Sequence, residues 1–263
     1  LPAQPILFTV EFRRKMAELS QLERQQWLAS LAARVRDQSK EDAVLAQELR
    51  EVARGCRLPL VDSIKRQIGS IDPQHLRALL EVARERFVRP EDIERSGDDT
   101  PLPLDDHGLS TISAPHAYLL SFRLLELTLG DSLVELGSGS GYGAALAAFI
   151  VGTKGKVITF EIDATLCARA RSNLATYDNV TVVLGDAVTS APAWGGAGKI
   201  VATFALDAIP ETWLGALPEG GMLVAPVGPP DREQRLVLAV KRGGHIETTV
   251  HGAVRYVKNR STR

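Results

Sequence analysis

Residues Val134–Leu146, VELGSGSGYGAAL, decide the fold. An apolar run ends at Leu136, glycines follow at 137, 139 and 141, and an alanine-rich run starts at once. Glycine lets the backbone turn tightly and lets a ligand approach the main chain, so the stretch reads as strand, ligand-binding turn and helix. Taken alone it would serve many nucleotides or merely pack a helix on a sheet, so its flanks must choose.

Downstream, short β-branched runs alternate with helical ones: SLVELG, YGAALAAFIVG, KVITFEI, ATLCARARSNLAT, VTVVLG, KIVATF, PETWLGAL and MLVAPVG. That order predicts an α/β fold, a Rossmann-like, doubly wound, mostly parallel seven-stranded sheet. RLVLAVKRGG and HIETTVHGAVRYV, hinged at Gly243-Gly244, are predicted as two long antiparallel strands, an ending similar to that of class I methyltransferases.

Upstream, Asp72-Pro73 is a strong helix start, and RSGDDTPLPLDDHGLS, residues 95–110, is predicted as a long surface loop. Residues 9–55 read as amphipathic helices, with a capping box at Ser20 and Glu23 and a stop at Gly55. The expected organisation is a helical extension over 1–56 and a main domain over 57–263.

Of the 263 residues, 44% are hydrophobic and 24% charged, an ordinary globular balance. A formal net charge of −1 gives no field to hold nucleic acid. Cys56 and Cys167 are far apart, the five histidines show no ligand spacing, and neither a disulfide nor a metal is expected. The apolar run Ala144–Val151 is too short to cross a membrane and no export pattern opens the chain, so a cytoplasmic protein is expected.

Three acids fall at successive strand ends. Glu161 ends the strand after the glycine turn, where a carboxylate can hold ribose hydroxyls; Asp186 ends the next, within reach of an adenine amine; Glu135 precedes the glycines, beside any ammonium group. The set favours S-adenosylmethionine over NAD, whose nicotinamide has no clear pocket here. An Asn-Pro-Pro-aromatic tetrapeptide, which would point to base amines, is absent from ATFALDAIP. A carboxylate acceptor suits what is left, because it is already ionised near neutrality and its alkylation needs positioning and water exclusion rather than a base. Ser113, in TISAPH ahead of the glycine turn, offers a hydroxyl for that positioning, and the same spot suits a helix start with Pro115 in the first turn.

IDPQHLRALLEVARERFVRPED, TPLPL, HG, TISAPH, GDSLVELGSGSGYGAALAA and LGDA, in this order, resemble the protein-L-isoaspartate O-methyltransferases over about residues 57–257. The resemblance implies that the segment Ser110, Thr111, Ile112 folds over S-adenosylmethionine and that Ser113 is the active-site serine. It implies that Tyr118, Glu135, Gly137, Ser138, Gly139, Gly141, Glu161, Asp186 and Ala187 hold the cofactor, which leaves as S-adenosyl-L-homocysteine. His107, Ser113, His116, Tyr256 and Val257 are then expected to meet a peptide or protein acceptor bearing isoaspartate or aspartate. The implied reaction is carboxyl methylation, with the ester collapsing to a succinimide, as in protein repair.

This sequence departs from the family pattern in DDHGLS, residues 105–110, in Ala187 and Ser190, and in Val257-Lys258-Asn259. With the extra residues 1–56, these departures support a second expectation, a tailoring enzyme that converts one aspartate of a ribosomally made peptide to an aspartimide. A third is a non-catalytic module that binds S-adenosylmethionine.

Overall fold

The computed structural model describes residues 57–260, without the side chains of Glu94 and Pro192. The helices expected within 9–55 lie outside the described residues.

Helix α1 covers residues 57–68, and α2 is Pro73–Glu81. Asp72 caps α2 by accepting from the Gln74 amide at 2.6 Å, with Pro73 in the first turn, as the sequence predicts. Short 3₁₀ turns at Arg84–Arg86 and Pro90–Gly97 follow. The stretch expected as an open loop then forms two strands, β1 (Leu102–Pro103) and β2 (Thr111–Ile112), paired antiparallel with Leu102 opposite Ile112. Both paired apolar residues are buried, so a pairing across nine residues orders a segment that has no local period of its own. Residues 104–110 between them make a loop closed by the Leu104 N–H on the Ser110 carbonyl, 2.9 Å.

Helix α3 (Pro115–Leu124) leads into β3 (Ser132–Leu136), α4 (Tyr142–Val151), β4 (Lys156–Glu161), α5 (Ala164–Asn173) and β5 (Val180–Leu184). After two 3₁₀ turns come β6 (Lys199–Ala202), α6 (Glu211–Ala216), β7 (Met222–Val227), β8 (Gln234–Arg242) and β9 (His245–Val254). The seven strands of the main sheet run β5-β4-β3-β6-β7-β8-β9; β3 to β7 pair in parallel, and β8 and β9 close the sheet antiparallel. This is the doubly wound sheet with an antiparallel ending that the alternation of runs predicts.

One face packs α4 with α2, α3 and the inner side chains of β3; the other carries Trp194, Phe204 and Trp213 with Leu136, Ile200 and Leu223. Strand order reverses between β3 and β6, and β3 leads into the glycine turn. In open α/β sheets such a reversal leaves a crevice at the carboxyl ends of the strands, where ligands bind. No helix among the described residues is long and apolar enough to cross a membrane, and no group of three or more metal-ligating side chains occurs there.

Candidate active site

At that crevice lies a cavity lined by the glycine turn, the segment Ser110–Ser113, the ends of β4 and β5, and Val257 to Arg260. Its floor is the turn from Gly137 to Ser140, and the glycines at 137, 139 and, just beyond the floor, 141 have φ of 100°, 54° and 93°, the left-handed region that other residues adopt only under strain. A side chain at Gly137 would collide with Thr203 Oγ1, which sits 3.0 Å from the Leu136 carbonyl oxygen and 2.7 Å from that of Gly137. Thr203 thus fixes the turn from the next strand end, and the sequence reading had no signal for it beyond its place after a strand.

Glu161 reaches across to the turn. Its Oε2 accepts from the Gly139 amide at 2.7 Å and its Oε1 from the Asp163 amide at 3.0 Å. Burial raises its pKa in spite of these bonds. The Gly139 amide, which a pyrophosphate would use at such a turn, is therefore committed to a carboxylate. Asp186, at the end of β5, accepts from the Val188 amide at 2.9 Å, and Ala187 lies beside it in the cavity wall. Two acids on the wall suit a ligand with hydroxyls, an amine and positive charge, and disfavour phosphates.

The opposite wall comes from Ser110 to Ser113 and from Tyr118, all on the cavity. The Ser113 amide donates to the Tyr118 hydroxyl at 3.3 Å. Burial raises the Tyr118 pKa, so the phenol stays neutral in the range where proteins are stable. Arg84, fully buried, holds this wall from behind. Its Nη1 donates to the carbonyls of Ser96 (3.3 Å) and Asp98 (2.7 Å), and its Nη2 to those of Thr100 (2.7 Å) and Ser113 (3.2 Å). The sequence reading missed Arg84, because its partners are backbone carbonyls that no motif records.

Thr111 and Ser113 also line a second depression, an open cleft with Pro101, His116, Glu233, Arg255 and Tyr256. Asp99 orients His116 there: its Oδ1 accepts the His116 backbone N–H at 2.9 Å, and its Oδ2 lies 2.9 Å from Nδ1. Burial pushes the Asp99 carboxyl up, but the His116 bonds outweigh it and hold the group below its ordinary range. Tyr256 is anchored by its backbone N–H on Gln234 Oε1, 2.8 Å, and burial drives its phenol up to about 12. Thr111 and Ser113 thus stand between two neighbouring depressions and line both.

Four expected placements differ. Glu135 is not on the cavity: it is 1% exposed, and its Oε2 accepts from Thr159 Oγ1 at 2.7 Å behind the turn. The space it fills exists because residue 143 is glycine, whose added Cβ would collide with Glu135 Oε1. Gly141 also lies off the wall, packed on Leu174 at the start of α4. His107 is exposed on the 104–110 loop, away from both depressions, its backbone N–H donating to Asp105 Oδ1 at 2.9 Å. Val257 faces the cavity rather than the cleft. Leu109, Ile162, Phe204 and Arg260 are among the further residues of the cavity wall that the sequence does not single out.

Comparison with known proteins bears on the whole of this region. The family described as protein-L-isoaspartate(D-aspartate) O-methyltransferase matches residues 58–263. A protein-L-isoaspartate O-methyltransferase of Ignicoccus hospitalis is 41% identical over 152 residues, 57% of this chain and 71% of that protein. A solved protein-L-isoaspartate O-methyltransferase superposes with a TM-score of 0.71 at 28% identity, over 77% of this chain and 65% of that one, so the present chain spans just under two thirds of it. A Plasmodium falciparum structure described as the same kind of enzyme in complex with S-adenosyl-L-homocysteine superposes at 0.67 and 25% identity, over 77% and 97%.

Proposed function

The chain belongs to the protein-L-isoaspartate O-methyltransferase family, and from that premise we propose that it methylates the carboxylate of isoaspartyl residues in proteins, with S-adenosylmethionine held in the cavity and the acceptor in the cleft. The observation that carries this is the shared Thr111–Ser113 wall, which lets a donor on one side and an acceptor on the other meet at a single hydroxyl. Residues 57–263 form the catalytic unit in this reading, with 1–56 as an extension, and the cytoplasm suits the free, buried Cys167 thiol.

The cavity fits the cofactor: its acids and its committed glycine amide match an adenosyl amino acid better than a pyrophosphate. When bound, S-adenosylmethionine supplies a methyl group activated by a sulfonium. Glu161 and Asp186 would hold the ribose and adenine, and the main chain of Gly137 to Gly139 would take the amino-acid portion. Tyr118 and the segment Ser110 to Ile112, which line the cavity, would cover the bound cofactor and limit water there, which strengthens attraction between unlike charges. Ser113 would donate its hydroxyl proton to one carboxylate oxygen of the acceptor and so aim the other, while Arg84 fixes the Ser113 backbone. The oriented His116 would meet the peptide in the cleft. The methyl ester formed is a better acyl donor than the acid, so attack by the following backbone nitrogen expels methanol and closes a succinimide.

Leu109, Ser110, Lys258 and Asn259, which belong to the departures from the family pattern, line the cavity and favour a second reading, tailoring of an unmodified aspartate in one peptide. A single peptide made in aspartyl and isoaspartyl forms decides. Methylation of the isoaspartyl form with little regard to flanking residues is expected; methylation of the aspartyl form alone would select tailoring. Binding of S-adenosylmethionine without methylation of either would leave a non-catalytic module.

A further inference from the structure

Arg260 crosses the rim of the cavity. Its Nη1 donates to Ser110 Oγ at 3.0 Å and its Nη2 to Asp163 Oδ2 at 3.0 Å, joining positions 150 and 97 residues away in sequence. Ser110 closes the 104–110 loop on one side of the cavity; Asp163 follows Glu161 and Ile162 on the other. Neither anchor can swing freely. Asp163 spends Oδ1 on the amides of Thr165 and Leu166, at 2.8 and 3.0 Å, and so presents Oδ2 to the guanidinium. The loop is held by Asp105, whose Oδ1 accepts the His107 and Leu109 amides, and by the Arg89–Asp106 ion pair at 2.8 Å. A guanidinium fork can serve both anchors at once, which a lysine ammonium does less well.

We propose that Arg260 is a positioning residue of the cofactor site, a latch that ties the 104–110 loop to the start of α5 over the bound adenosyl ligand and opens for its exchange. The proposal rests on the reading of the cavity as the S-adenosylmethionine site. The ion pair is partly exposed, with side chains 38% and 25% accessible, so salt weakens it and should speed exchange.

The test is stopped-flow release of S-adenosyl-L-homocysteine from the full chain, alongside calorimetric affinity. In Arg260→Ala the off-rate is expected to rise about tenfold, as for loss of a charge-assisted hydrogen bond. The KM for the donor rises in step and kcat does not fall. Wild-type release accelerates between about 50 and 500 mM salt, whereas release from Arg260→Ala is flat. Arg260→Lys restores part of the retention; Asp163→Asn, which keeps the helix cap, mimics Arg260→Ala, and the double variant adds little to either. An unchanged off-rate in Arg260→Ala with normal wild-type binding overturns the latch alone. So does a fall in kcat and melting temperature with no change in salt response, the sign of a merely structural contact. Failure of the wild type to bind S-adenosyl-L-homocysteine overturns both the latch and the cofactor reading.

Discussion

Glu135 illustrates what a motif can and cannot fix at the scale of one residue. Its place before the glycines made it an obvious ligand contact, yet strand geometry turns it beneath α4, where Gly143 leaves room and Thr159 Oγ1 donates to it. Burial raises its pKa from 4.5 to about 8. The folded chain therefore keeps a proton that the unfolded chain loses near 4.5, so the stability at this position is full below that pH and is lost as pH climbs through about 8. Urea midpoints of the wild type are expected to fall over this window, and Glu135→Gln, which cannot ionise, should flatten the decline. Ser113 was legible in the sequence as a hydroxyl in a tight turn; its position on two depressions at once was not, since the cleft wall comes from residues about 140 positions away. Ser113→Ala should leave S-adenosyl-L-homocysteine affinity nearly intact and lower kcat/KM by about tenfold to a hundredfold, the worth of one hydrogen bond to a charged group. Calorimetry with steady-state kinetics checks this; an equal loss in affinity and in kcat/KM would contradict the role.

Elements with their own period were readable one by one. The runs that become β3, β4 and β6 are apolar and β-branched, and Asp72 stands where a helix cap belongs. β1 and β2 were not readable, because two residues carry no period and their order comes from each other. The glycine turn joins both kinds of information: its residue types are local, but the obstacle that forbids a side chain at 137 arrives from β6 through Thr203. Gly137→Ala is accordingly expected to cost about 2 kcal/mol or more in denaturant unfolding, combining a left-handed φ with a steric clash. Gly195→Ala, with φ of 63° and nothing within 4 Å of an added Cβ, carries the conformational cost alone and should lose about half as much or less.

At the scale of the molecule, the alternation of runs yields the sheet order because parallel crossovers are right-handed and neighbours in sequence tend to be neighbours in space. The rim of the cavity follows no such rule; Arg260 and Ser110 meet only once the sheet has closed. Since the cavity draws its wall from β1–β2 partners, β4, β5, β6 and the chain after β9, a ligand there should stabilise the domain as a unit. S-adenosyl-L-homocysteine at about a hundred times its Kd adds about 2.7 kcal/mol, roughly 5–10 °C in melting temperature for a domain of this size. Scanning calorimetry should show one shifted transition; an unshifted second transition would mean that part of the sheet unfolds independently of the site.

The wall at Thr111 and Ser113 has a practical corollary for anyone designing inhibitors. Because it is approached from two doors, neither reactant need leave before the other arrives, so kinetics should follow a ternary-complex scheme without a ping-pong pattern. A bisubstrate compound would gain by welding an adenosyl head to a peptide tail, and its tether need only be long enough to pass the serine.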